Sequence, residues 1–513
     1  MPEYDLPRLF DTVVHMLQDA GETSPDHVAL ICEGEDMTYQ SFVRCVAGFA
    51  RELEGLGARG GRIALVCGNS FEIVVASFAA YAAGAQVVPI NPLFTQRELS
   101  FIMEDADPIV VVYDSAKTDD VLPLIDTVEK MTGIAVGAGG RFLDDWVDQD
   151  TKLPLPLPMP EDFAVLQYTG GTTGRPKGVM ITHEQMVINM CQREVAVPTV
   201  TEDERILCVM PLFHVFATSM CMHLAVQCRG TMVIMRRYHP ETAVQALVTE
   251  KITFFPAGPT VFNGLLAFDG FRDADFSCLR CCVSGSAPLA EETLKTWRTV
   301  TGTDIAEGFG QSEAGPVLTM FTADDTPLPG SVGKPLPYTE MQIVDVETGK
   351  MVLGPGEQGE IRAKGPQIMS GYRNRPDETA QALRSGWLYT GDIGEYDKDG
   401  NFYIRDRKKD MAIVGGYNVY PREIDEVLYT HPAVLEAAAI GVQDDYRGEV
   451  IHANVVLRKG VTTTVDDLDA YCRKNLAKYK VPRKIVISYN IPKTTVGKID
   501  KAALRSQMKE TTT

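Results

Sequence analysis

The segment RIALVCGNSFEIVVASFAAYAAGAQVVPINPLFTQRELSFIMEDADPIVVVY (Arg62–Tyr113) decides the fold class. Arg62–Cys67, Gln86–Ile90 and Ile109–Tyr113 are short, apolar, strand-like runs. Helical segments lie between them, over Phe71–Ala83 and near Gln96–Asp105. Short apolar strands alternating with helices predict α/β layers with largely parallel sheets. Residues 71–90 are the most apolar stretch of membrane length. Glu72 near its start, with Gly84 and Gln86 inside, favours a buried helix running into a strand.

The same alternation continues outward, without repeats at solenoid periods and without a low-complexity tail. The Pro-rich Leu153–Pro160 reads as a surface connection. A boundary is expected near Arg405–Asp410. The preceding YDKDGNFYIRD reads as a hairpin with Asp399-Gly400 at its turn. Beyond it, Pro421–Thr430, Val434–Val442, Ile451–Leu457 and Val465–Leu476 carry a separate strand–helix pattern, enough for a small α+β domain. The expected division is a large N-terminal portion of layered sheets and helices, 1–405, and a small mobile C-terminal domain, 406–513, joined near Lys409.

The net charge of −20 disfavours non-specific binding to a phosphate backbone, so no nucleic-acid partner is expected. Eleven irregularly spaced cysteines do not read as a disulfide framework, and a reducing, cytoplasmic setting follows. Cys278, Cys281 and Cys282 lack a second pair at zinc-ligand spacing and read as buried free thiols. The N-terminal MPEYDLPRLF shows no signal-peptide pattern, and no transmembrane segment is expected. The sequence fixes no oligomeric state and leaves a homodimer open.

The strongest local chemistry is in QYTGGTTGRPKG (Gln167–Gly178). Its four glycines let backbone amides turn inward around an anion, three threonines add hydroxyl donors, and Lys177 adds a charge. Such a loop suits a polyphosphate, yet Gly rather than Ser or Thr follows Lys177, so it is not a Walker A loop. Gly354–Gly359 matches GxGxxG but leads from a turn into a strand, Glu360–Ala363, not into a helix. It carries no dinucleotide reading.

The Thr/Gly loop is followed in order by VSGSAPL (Val283–Leu289), GFGQSE (Gly308–Glu313), WLYTGD (Trp387–Asp392), DRKKD (Asp406–Asp410) and PKTTVGKI (Pro492–Ile499). Together these resemble the adenylate-forming superfamily of acyl-CoA synthetases, luciferases and peptide-synthetase adenylation domains. The resemblance spans about residue 25 to residue 505.

The resemblance implies that Thr169, Gly170, Gly171, Thr172, Thr173, Gly174 and Lys177 hold the ATP phosphates. It implies an adenine slot at Ser286, Ala287, Pro288 and Phe309, with Gly308, Gly310, Gln311 and Ser312 completing the nucleotide set. Glu313 resembles the Mg2+-binding carboxylate, and Ser312 replaces the usual Thr before it. Asp392 resembles the ribose-binding carboxylate, Arg407 the residue orienting that sugar, and Lys409 the hinge. Lys498 resembles the cation that bridges an attacking carboxylate and the α-phosphate. Gly415, Gly416 and Tyr417 resemble a pantetheine channel, and Arg447, Tyr479 and Arg483 sit where relatives contact the CoA nucleotide.

The implied reaction is ATP-dependent joining of a carboxylic acid to coenzyme A through an acyl-adenylate, releasing AMP and pyrophosphate. His214 matches the aromatic gate beside the substrate carboxylate. Phe216, Gly285, Gly310, Pro316 and Val317 resemble acyl-pocket positions, small or apolar enough to leave room for a chain or an unsubstituted ring. In coumarate ligases a Tyr at the position of Phe216 bonds the substrate phenol, a donor missing here. The expected substrate is a medium- to long-chain fatty acid. An aryl or cyclic acid is the alternative, as is an acyl-AMP ligase loading a carrier protein.

Overall fold

Helix Phe71–Ala82 is capped by Ser70, whose hydroxyl accepts from the amide of Ile73 at 3.4 Å. Every residue of it except Glu72 is buried, as an all-round apolar helix requires. The computed structural model describes residues 5–126, 131–141, 143–147, 152–169, 176–287, 289–322, 325–414, 417–444, 447–494 and 497–510. In it, the strands Arg62–Val66, Gln86–Pro89 and Val110–Asp114 lie side by side and parallel, as the opening segment predicts. With Phe163–Thr169, Lys177–Thr182, Gly371–Tyr372 and Thr132–Val136 they form a seven-stranded sheet.

A second sheet of nine strands runs from Lys334–Pro335 to Glu35–Thr38. Its centre is parallel, through Ile305–Gly310, Cys281–Ser284, Phe254–Ala257, Arg205–Cys208, Thr231–Ile234 and Val28–Cys32. One apolar core joins the two sheets, with Tyr39, Phe42, Phe78 and Tyr81 among its fully enclosed side chains.

A third, antiparallel sheet contains Glu340–Val344, Gly359–Lys364, Trp387–Tyr396 and Phe402–Arg407. The last two form the expected hairpin, with Gly400 at φ +84° in its turn. Gly354–Gly359 leads into Gly359–Lys364, a strand. Phe402–Arg407 stays paired through Arg407, so a division at 405/406 falls inside a strand; the next sheet starts at Ala412. That sheet joins Ala412–Val414, Tyr417–Val419, Val434–Asp444, Gly448–Leu457 and Lys484–Ser488, covered by helices Pro421–Tyr429, Val465–Asn475 and Lys501–Glu510 around a core of its own.

Two ion pairs bracket Lys409. Lys408 reaches buried Glu360 in the third sheet at 2.7 Å, and Arg505 on the last helix reaches Asp410 at 2.6 Å. Lys409 between them is exposed. Cys278 is exposed as well, because it lies in the turn before Cys281–Ser284, and so differs from the buried thiol expected there.

Candidate active site

Antiparallel pairing of Phe163–Thr169 with Lys177–Thr182 sets Thr169 opposite Lys177. Gly170, Gly171, Thr172, Thr173 and Gly174 lie outside the described residues. The Lys177 ammonium stands 5.2 Å from the ring centre of Tyr372. The Tyr372 hydroxyl donates to Glu313 Oε1 at 2.8 Å. One phenol therefore links the candidate phosphate lysine to the candidate metal carboxylate. Nothing in the sequence marks Tyr372; it arrives because Gly371–Tyr372 pairs with Val179–Met180.

Asp392 and Arg407 face each other across the hairpin, with Arg407 Nε 2.8 Å from Asp392 Oδ1. Asp392 is 3% exposed, and its Oδ2 has no hydrogen-bond partner among the described residues. Burial pushes its carboxyl up to about 6 against the pull of Arg407, with Glu313 and Asp406 adding negative charge nearby. An orphaned, buried carboxylate oxygen suits a sugar hydroxyl.

Lys498 follows Gly497, whose amide donates to Thr494 O at 2.9 Å. Gly497 has φ +78°, and a Cβ there would lie 2.9 Å from Thr260 Oγ1 of the large unit, so only glycine lets the loop approach so closely. Loss of hydration and the Arg407 charge lower the Lys498 ammonium to about 8, with Asp392 opposing. Lys498 also acts on His214, whose ring is held neutral, at about 3, mainly by burial. The amide of Phe216 donates to His214 Nδ1 at 3.3 Å, which leaves the ring proton on Nε2. Lys498, Asp392, Arg407, Glu313 and His214 thus share one site, assembled from four distant parts of the chain.

The strand Ile305–Gly310 delivers Gly308, half-buried Phe309 and Gly310, followed by Gln311, whose amide bonds Pro316 O at 2.9 Å. The loop carrying Ser286 and Ala287 is pinned from that strand, where the amide of Leu289 donates to Glu307 Oε2 at 3.0 Å. Pro288 lies outside the described residues. Ser286 takes φ +72°, an uncommon conformation for a residue with a Cβ. Burial raises the Glu307 carboxyl to about 7, with Arg422 opposing. Nothing in the sequence marks Glu307 beyond its place before Gly308.

A cavity opens beside Ser312 and Pro316 and passes Leu212, Val215 and Gln167. Of the expected acyl-pocket residues, Pro316 lines it, whereas His214, Phe216, Gly285, Gly310 and Val317 do not. At the two glycines the space that a Cβ would take is occupied by a neighbour. A Cβ on Gly285 would be 2.9 Å from the Phe216 ring, and one on Gly310 would be 1.9 Å from Pro316 O.

On the small unit, Tyr417 and Tyr479 stack with ring centres 4.7 Å apart. Arg447 and Arg483 are exposed, and Gly415 and Gly416 lie outside the described residues. Among the described residues no helix is long and apolar enough to cross a membrane.

A family model described as AMP-binding enzyme matches residues 17–373, and one for the AMP-binding enzyme C-terminal domain matches 423–498. A long-chain-fatty-acid–CoA ligase of Bacillus subtilis is 36% identical over 97% of this chain and 94% of its own. A feruloyl-CoA synthase of an Amycolatopsis species is 35% identical over 94% of this chain and 96% of its own. The crystal structure of ATP-bound MatB from Rhodopseudomonas palustris superposes with TM-score 0.91 at 30% identity, covering 98% of this chain and 99% of that one.

Proposed function

Because the chain belongs to the AMP-binding enzyme family, we propose that it joins a carboxylic acid to coenzyme A at the expense of ATP, through an acyl-adenylate. The observation that carries this reading is the approach of Lys498 to Asp392, Arg407 and His214. Attack of a carboxylate on the α-phosphorus brings two anions together. The Lys498 ammonium is the group suited to bridge them and to stabilise the charge that builds as pyrophosphate leaves. His214, neutral and protonated on Nε2, is suited to donate to the incoming carboxylate.

Asp392 accepts the ribose hydroxyls on its free oxygen while Arg407 fixes the other. Thr169 and Lys177, with the loop between them, hold the phosphates. Glu313 is a hard oxygen donor steadied by Tyr372, a fit for Mg2+, which would neutralise phosphate charge. Ser286, Ala287, Gly308 and Phe309 frame the base.

The second half-reaction needs Lys498 withdrawn and a thiol admitted. We assign that change to rotation of the small unit about Lys409, with the unit beginning after Arg407. The stacked Tyr417 and Tyr479, with Arg447 and Arg483, then form the coenzyme A face. The acid we favour is a medium- to long-chain fatty acid, supported by the Bacillus subtilis relative and by the Val, Leu and Met lining of the cavity. The site lies within one chain, so the chemistry does not require a homodimer. Eleven unpaired cysteines suit a reducing compartment such as the cytoplasm.

The test is pyrophosphate release from ATP and Mg2+ across a panel of acids, followed by thioester formation when coenzyme A alone is added. Acid-dependent release followed by thioester supports the reading. Release with no thioester would point instead to a carrier-loading enzyme, and no release with any acid would end it.

A further inference from the structure

The cavity beside Pro316 carries polar groups that the proposed chemistry does not use. Ser77 and Tyr81, four residues apart, share one face of helix Phe71–Ala82. Ser219 and His223 stand likewise on the helical segment Thr218–His223, and all four line the cavity. The rings of Tyr81 and His223 are 6.0 Å apart. His223 is 3% exposed, and its Nε2 has no hydrogen-bond partner among the described residues. Burial keeps the ring neutral, so it has one donor and one acceptor nitrogen. The Ser77 hydroxyl already donates to Ile73 O at 2.7 Å.

An unpaired buried polar atom is destabilising, whereas Val or Leu at the same place carries no such penalty. The rest of the wall, including Val87, Val165 and Ile181, shows that an apolar lining is otherwise used. A plain alkyl chain cannot satisfy His223. Leu212 and Val215, on either side of His214 in the sequence, line the same cavity, which sets it next to an acid held at His214.

We infer that the cavity receives the far part of the acid, and that the acid bears a hydroxyl or keto oxygen remote from its carboxylate, bound by His223 and Tyr81. The inference rests on the ligase reading and narrows its substrate class to oxygenated acids.

The test compares kcat/KM, read as pyrophosphate release, for dodecanoate against its positional hydroxy and keto derivatives, and for cinnamate against 4-hydroxycinnamate. At least one oxygenated acid should exceed its parent by about tenfold or more, and His223→Leu and Tyr81→Phe should each bring that ratio to within about threefold of unity. Turnover of plain acids with no oxygenated acid preferred overturns this inference and leaves the ligase reading intact; so does a preference that persists in both variants. Absence of pyrophosphate release with every acid defeats the ligase reading instead. Should His223→Leu fail to fold, Tyr81→Phe and the wild-type ratios decide.

Discussion

A lysine ammonium ordinarily stays charged to about pH 10, but Lys498 holds its proton only to about 8, because burial and Arg407 both disfavour the cation. The proposed bridging of two anions needs the charged form, so kcat/KM for ATP in pyrophosphate release should fall as pH rises through about 8. The acid side should rise through about 6, where buried Asp392 ionises. Because these groups interact, the two limbs belong to the cluster rather than to single residues. Lys498→Arg should carry the alkaline limb above about pH 9, since a guanidinium stays charged; an unmoved limb would refute the assignment. Lys498→Ala should cut adenylation by about a thousandfold yet leave thioester formation from a supplied acyl-adenylate within about threefold. Stopped-flow assays of the two halves would show whether the losses part in this way. Lys498 was legible in the sequence only because PKTTVGKI is distinctive. Tyr372 and Glu307 were not, since each meets its partner across strand pairings that local pattern does not specify. The close approach of Phe216 to Gly285 and of Pro316 to Gly310 is likewise a tertiary contact that local pattern does not specify.

Among the elements, the strand Ile305–Gly310 carries a buried acid beside the nucleotide loop. The Glu307 carboxyl rises to about 7 in the fold, from 4.5 in the open chain, so folding favours its protonated form. The associated stability is fully present below about pH 4.5 and is lost as pH climbs through about 7, a difference on the order of 3 kcal/mol. Glu307→Gln keeps an acceptor for the Leu289 amide and removes the ionisation. Its Tm should exceed the wild-type value at pH 8 and coincide with it at pH 4.5. Equal Tm values at pH 8 would show that the acid stays hydrated. Element identities were readable where short and long apolar runs alternate, as between Arg62 and Tyr113. The boundary at 405/406 was not, because the change of sheet comes after Arg407, in a charged run with no apolar period to mark it.

At the scale of the molecule, the flanking pairs Lys408–Glu360 and Asp410–Arg505 hold one unit on each side of exposed Lys409. Proline there fixes φ near about −65° and restricts Lys408 as well. Lys409→Pro should retain a first burst of pyrophosphate while thioester output drops by about a hundredfold, measured by rapid quench. Full thioester output in that variant would move the pivot elsewhere. The lodging of Gly497 against Thr260 bears on the order in which reactants queue. On the proposed rotation a single loop is either docked or withdrawn, so ATP and acid should be consumed, and pyrophosphate dismissed, before the thiol takes its turn. Initial-rate plots against ATP at several coenzyme A levels should then give parallel lines while pyrophosphatase clears the product. Converging lines would mean that all three reactants can wait inside together.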